Sequence, residues 1–151
     1  MIRAATIADE PELLAMGRAF NEEAGYAETV PFNEDSFKVT LAILGTAGLL
    51  LVADVNGKAV AMAAADVAPS ICNHGVRIGQ ECFWYVAPSH RNGKIGKKLL
   101  AALECAAQSQ GATFFDVVAE DGERSEPLAR LYRAGSYNPR SRTFRKRLPG
   151  V

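Results

Sequence analysis

The spacing of apolar residues changes character repeatedly along the chain and divides it into short elements. "IRAAT" predicts a brief opening strand. Over 8–25, Leu13, Leu14, Met16 and Phe20 fall near helical spacing, with Pro11 in the first turn and Gly25 at the stop. Asn33 or Asp35 can cap a second helix running to about Leu44, stopped by Gly45 and Gly48. "LLLVADVNGKAVAMAAADV" predicts strand, turn, strand, because Asn56-Gly57 tolerates the positive φ of a tight hairpin. "SICNHGVRIG" predicts a polar connection, and "ECFWYV", bounded by Pro88, a strand. The helix over 94–110 has Ile95, Leu99, Leu100, Leu103, Ala106 and Ala107 on one face and Gly111 at its end. "TFFDVVA" predicts a strand, "EDGERS" a loop, "EPLARLYRAG" a short helix and "TFRKRL" a last strand. The order β-α-α-β-β-β-α-β-α-β describes an α/β (α+β) chain whose mixed sheet carries helices.

Composition narrows the class. At 151 residues, 48% apolar and 23% charged, the chain has the size and balance of one globular domain spanning 1–151. Seventeen basic residues offset seventeen acidic ones, so no net field draws the chain to nucleic acid or to an acidic membrane. Acidic residues dominate 9–35, whereas "RSRTFRKR" at 140–147 is basic. Cys72, Cys82 and Cys105 are widely spaced and odd in number, which predicts buried free thiols, with neither a disulfide framework nor a metal site. "MIRAATIADE" has no secretory apolar core, and "GLLLVADV" is too short to span a bilayer. These features point to a cytoplasmic protein without a membrane or nucleic-acid partner, monomeric or homodimeric.

The candidate chemistry lies in "FWYVAPSHRNGKIGKKLLAAL", where a strand turns into a lysine-rich helix. A helix N-terminus offers unpaired N–H groups and partial positive charge, a ready site for phosphate. Gly93 and Gly96 remove side-chain obstruction there, and Arg91, Lys94, Lys97 and Lys98 add charge. The alternative is a tight turn beside a solvated basic face. A Walker A loop fails because Pro88 stands where its first glycine belongs and Ile95 follows the lysine. The dinucleotide fingerprint fails because Arg91 occupies a required glycine. "GKIG" matches the G-x-x-G loop of KH RNA-binding modules, but those loops join two helices, and here a strand precedes.

Residues 81–137 resemble the GNAT family, the Gcn5-related N-acetyltransferases. That family's [QR]-x-x-G-x-[GA] signature is matched by Arg91 and Gly96, with Lys94 at its first glycine and Gly93 one place earlier. The resemblance implies a central splayed sheet and acetyl-CoA as acyl donor. Tyr85, Val86, Arg91, Asn92, Gly93, Lys94, Ile95, Gly96, Lys97 and Ser125 would hold that donor. Its extended amide-bearing arm would pair along an open strand edge as another strand would. A main-chain N–H near Val86 would face the developing oxyanion. The "LY" pair of "LARLYRAGSY" makes Tyr132 the implied general acid, and Glu81 corresponds to a catalytic glutamate of some members. Each has a plainer reading: a core tyrosine with its hydroxyl at the rim, and a solvent-facing charge at a strand end.

The implied reaction is N-acetyl transfer to an unidentified primary amine by direct attack, since no cysteine has a nucleophile-like context. The contrasting readings are a GNAT fold that binds CoA without catalysis and a KH-like RNA-binding module. His74 and His90 are lone histidines without a partner motif. Glu120, Asp121, Glu123 and Glu126 form either an acidic rim for a cationic acceptor or a solvated loop. The acceptor itself has no signature.

Overall fold

The computed structural model describes residues 1–91, 94–120 and 125–149. Their contacts group into two units, Met1–Val118 and Ala119–Val151. The first contains β1 (Ile2–Ala4), α1 (Glu10–Glu23), α2 (Glu34–Thr46), β2 (Leu50–Val55), β3 (Lys58–Ser70), β4 (Asn73–Val86), α3 (Ile95–Ser109) and β5 (Ala112–Asp116). The strands form one sheet in the order β1-β2-β3-β4-β5. Neighbours are antiparallel except β4 and β5, which are parallel and joined through α3.

Local chemistry accounts for most boundaries. Asn33, of the two candidate caps, is the one used: its side chain accepts a hydrogen bond from the Ser36 N–H at 2.8 Å. Asn56 and Gly57 adopt φ of 54° and 80°, the paired positive values of a two-residue hairpin turn.

Alternating side chains give the sheet two apolar faces. On one, Leu13 and Met16 of α1 and Leu41 and Leu44 of α2 pack on Val52, Met62, Phe83 and Tyr85. On the other, Leu99 and Leu103 of α3 meet Leu51 and the row Ala61, Ala63 and Ala65. Those small residues let α3 lie close to the strands. Leu99 and Leu103 are fully buried, and burial of a side chain of this size contributes roughly 1.5–3 kcal/mol.

A charged cluster ties the start of the chain to β2. Arg3 donates through Nη1 and Nη2 to both Asp9 oxygens at 2.7 and 2.8 Å, and through Nε and Nη2 to Asp54 at 3.0 and 2.8 Å. Asp9 is buried and also accepts from the Thr6 N–H. The Arg3 hydrogen bonds hold the Asp9 carboxyl well below its ordinary 3.8, overcoming the opposing effect of burial. A depressed folded pKa stabilises the fold above the unfolded value and loses that contribution as pH falls through the folded one. Asp9→Asn is therefore expected to melt several degrees below the parent at pH 7. The gap should narrow progressively below about pH 4, where the unfolded carboxyl takes its proton. Equal melting curves at pH 7 would remove the role assigned to this cluster.

Three expectations are corrected. The polar connection "SICNHGVRIG" is mostly strand: β3 and β4 form one long hairpin with Ser70 opposite Asn73 and Ile71-Cys72 at its tip. Cross-strand pairing there overrides the weak strand propensity of Gly75, Gly79 and the polar residues. Glu81 thus lies inside β4, not at its start. All three cysteines are exposed rather than buried, Cys72 because it sits at the hairpin tip.

The second unit contains α4 (Ser125–Ala134). Beyond it Ser136 adopts a φ of 67°, and the Tyr137 N–H donates to the Tyr132 carbonyl at 3.0 Å. The strand expected over "TFRKRL" is not formed, since 138–148 has no regular structure. Strand propensity does not suffice where no described strand pairs with the segment. Among the described residues no helix is long and apolar enough to cross a membrane.

Candidate active site

The site begins with the two edges of β4. Pairing with β3 continues through Val86, opposite Ala61, whereas pairing with β5 ends at Gln80, opposite Asp116. From Cys82 to Val86 the strand is therefore paired on one side only among the described strands. The Ala87 N–H donates to the Val60 carbonyl at 2.9 Å. Antiparallel ladders alternate, so the backbone groups of Phe83 and Tyr85 face β3, and those of Trp84 and Val86 face away from it. The Val86 N–H is thus directed to the side that β5 has left.

Glu81 stands at the parting of β4 and β5. It is buried, and its carboxylate accepts the Val118 N–H at 3.2 Å, a side-chain bond in place of the next rung of the ladder. This differs from the solvent-facing charge the sequence allows. Beside it, Cys82 is exposed as a residue but its thiol is partly shielded from water, and that desolvation and then the Asp66 and Glu81 carboxylates push it upward. Cys82 accordingly stays protonated near neutrality, an unfavourable state for a nucleophile.

Next comes the turn into α3. Asn92 and Gly93 lie outside the described residues. Lys94 is the N-cap, with φ −85°, and its own side chain makes no capping hydrogen bond. A negative φ explains why lysine is accepted at the signature's glycine position. The amides of Ile95, Gly96 and Lys97 occupy the first turn, where intrahelical partners are absent by construction. Lys94, Lys97 and Lys98 are exposed around them. Gly96 has a packing reason as well: a Cβ built on it would lie 3.0 Å from Trp84 Cζ2 and 3.3 Å from Val86 Cγ2. Its missing side chain lets the first turn of α3 approach β4, and Trp84 is part of that packing.

Arg91 is held more firmly than the sequence suggests. Its Nε donates to the Val86 carbonyl at 2.8 Å, and its Nη2 donates to both Glu23 oxygens at 2.8 and 3.0 Å. The guanidinium carbon lies 5.1 Å from the centroid of the Tyr85 ring, whose hydroxyl also donates to Glu23 at 2.9 Å. Tyr85 itself is buried on the face covered by α1 and α2. Glu23 is the site residue that sequence reasoning misses. It belongs to an acidic helix end 68 residues away from Arg91, and no local pattern marks it. His90 contacts its neighbour Ser89 at 2.9 Å.

In the second unit Ser125 is the first residue of α4. Tyr132 is buried, its ring 5.7 Å from that of Tyr137. Asp121 and Glu123 of the acidic rim lie outside the described residues.

Comparison with known proteins places this geometry. No curated protein matches the chain by sequence. Solved structures share its fold. A transcriptional regulator from Bacillus halodurans C-125 superposes with a TM-score of 0.78 at 14% identity, covering 98% of this chain and 99% of that one. AAC(6')-Iy in complex with the bisubstrate analog CoA-S-monomethyl-acetylneamine gives 0.74 at 16% identity, covering 98% of each. Ribosomal-protein-alanine N-acetyltransferase from Brucella melitensis biovar Abortus 2308 gives 0.71 at 19% identity, covering 98% and 99%. The family description "Acetyltransferase (GNAT) family" matches residues 13–135. With most of its length so matched, and a sheet whose central strands part beside the start of a helix, the chain belongs to the GNAT acetyltransferase family.

Proposed function

We propose that the protein transfers an acetyl group from acetyl-CoA to a primary amine by direct attack. The observation that carries this reading is the edge of β4 left without β5 beyond Gln80, next to the first turn of α3. The residues present fit such a donor. An amide-bearing arm pairs with the outward backbone of β4, and phosphates suit the first amides of α3 with Lys94, Lys97 and Arg91 around them. Asn92, Gly93 and Ser125 complete the proposed donor site from the family resemblance alone.

When bound, the donor supplies an activated thioester. The Val86 N–H then donates to the oxygen on which negative charge develops. Tyr132 gives its phenolic proton to the departing sulfur, a role its "LY" pair supports. Glu81 is assigned uptake of the amine proton through water. A primary amine acceptor is supported by the family and by neighbours named for an acetylneamine conjugate and for a ribosomal-protein alanine.

The first test is binding. CoA at a hundredfold excess over its Kd adds about 2.7 kcal/mol of stability, which should raise Tm by several degrees at this chain length. No shift at millimolar CoA would sink the proposal. A screen of amine acceptors with acetyl-CoA then separates a transferase from a protein that only binds CoA.

A further inference from the structure

We propose that Glu23 is a positioning residue for the acyl donor, acting through Arg91; the inference rests on the function proposed above. Glu23 ends α1, on the opposite face of the sheet from α3, yet its carboxylate reaches the turn that leads into α3. Both of its oxygens accept from Arg91 Nη2, and Oε1 also accepts from the Tyr85 hydroxyl. The same arginine holds the Val86 carbonyl through Nε. Glu23 therefore sets the orientation of a guanidinium that fixes the residue whose N–H faces the open strand edge.

The donor inventory of Arg91 sharpens the role. A guanidinium has five N–H donors in a rigid fork. Nε and Nη2 are committed, while Nη1 makes none of the described hydrogen bonds. A fork fixed at two nitrogens presents the third without the ordering cost that a free arginine meets on binding an anion. The Nη1 group is thus available to a phosphate of the donor while the other two keep the strand end in place. As a bare surface ion pair the contact would matter little, because the two side chains are 26% and 33% exposed and screened by water. Its value lies in geometry delivered to Val86 and to the turn.

Calorimetry with CoA tests this on the intact protein, with melting temperature measured for every variant. Glu23→Gln is expected to weaken CoA binding about tenfold, the scale of one charged hydrogen-bonded contact. In an Arg91→Met background the same substitution should produce no further loss, since Glu23 acts only through Arg91. Glu22→Gln, which removes an equal charge from the neighbouring exposed position, should bind as the parent does. If Glu23→Gln does not fold, Glu23→Asp keeps the charge with a shorter reach and should show a smaller loss. Parent-like affinity in a folded Glu23 variant, or an equal loss with and without Arg91, would overturn the inference while leaving the CoA site intact. A parent protein that binds no CoA would overturn the donor reading itself, and this role with it.

Discussion

Replacing Tyr132 with Phe is expected to lower kcat by roughly 10²–10⁴-fold while affinity for acetyl-CoA stays nearly intact. The substitution removes one oxygen and keeps the ring, so the contact with Tyr137 at 5.7 Å survives. The effect falls on kcat because negative charge builds on the sulfur as the tetrahedral intermediate collapses, and the acid neutralises it. A phenol of pKa about 10 remains protonated at neutral pH and can donate its proton to the departing thiolate as the carbon–sulfur bond breaks. A tyrosine with a purely structural task would instead change the melting temperature, or change nothing. Steady-state kinetics with an acceptor found by screening decide the matter. Turnover at the full parental rate in the Phe variant would assign the proton to water or to another residue.

Gly96→Asp is expected to abolish measurable CoA binding and to lower Tm as well. Sequence reasoning attributes this glycine to close approach of a phosphate. The structure adds that its absent side chain faces Trp84 and Val86, at 3.0 and 3.3 Å from a Cβ. An aspartate must push the first turn of α3 away from β4, and it brings negative charge to the amides expected to meet phosphate. Gly96→Ala separates the two effects, because it has the clash without the charge. It should bind CoA more weakly than the parent and more strongly than the aspartate variant. Parent-like calorimetric affinity in both variants would remove this turn from the donor site.

The elements that local chemistry dictates were legible in the letters. Helical spacing marked α1 and α3, the Asn33 side chain capped α2, and Asn56-Gly57 made its hairpin, because each depends on neighbours a few residues away. The strand–turn–helix around Gly96, and with it the family resemblance, was legible for the same reason. Whatever depends on partners distant in sequence was not. Cross-strand pairing drew residues 73–80 into β4, while "TFRKRL", with strand propensity but no pairing to a described strand, stayed irregular. Where β5 leaves β4 is a matter of register, which placed Glu81 in the fork instead of at an exposed strand end. The clasp of Glu23, Tyr85 and Arg91 joins residues up to 68 positions apart. Spacing along a chain determines which turns and faces can form; which backbone edge stays open, and which charge meets which, is decided only when the strands and helices pack.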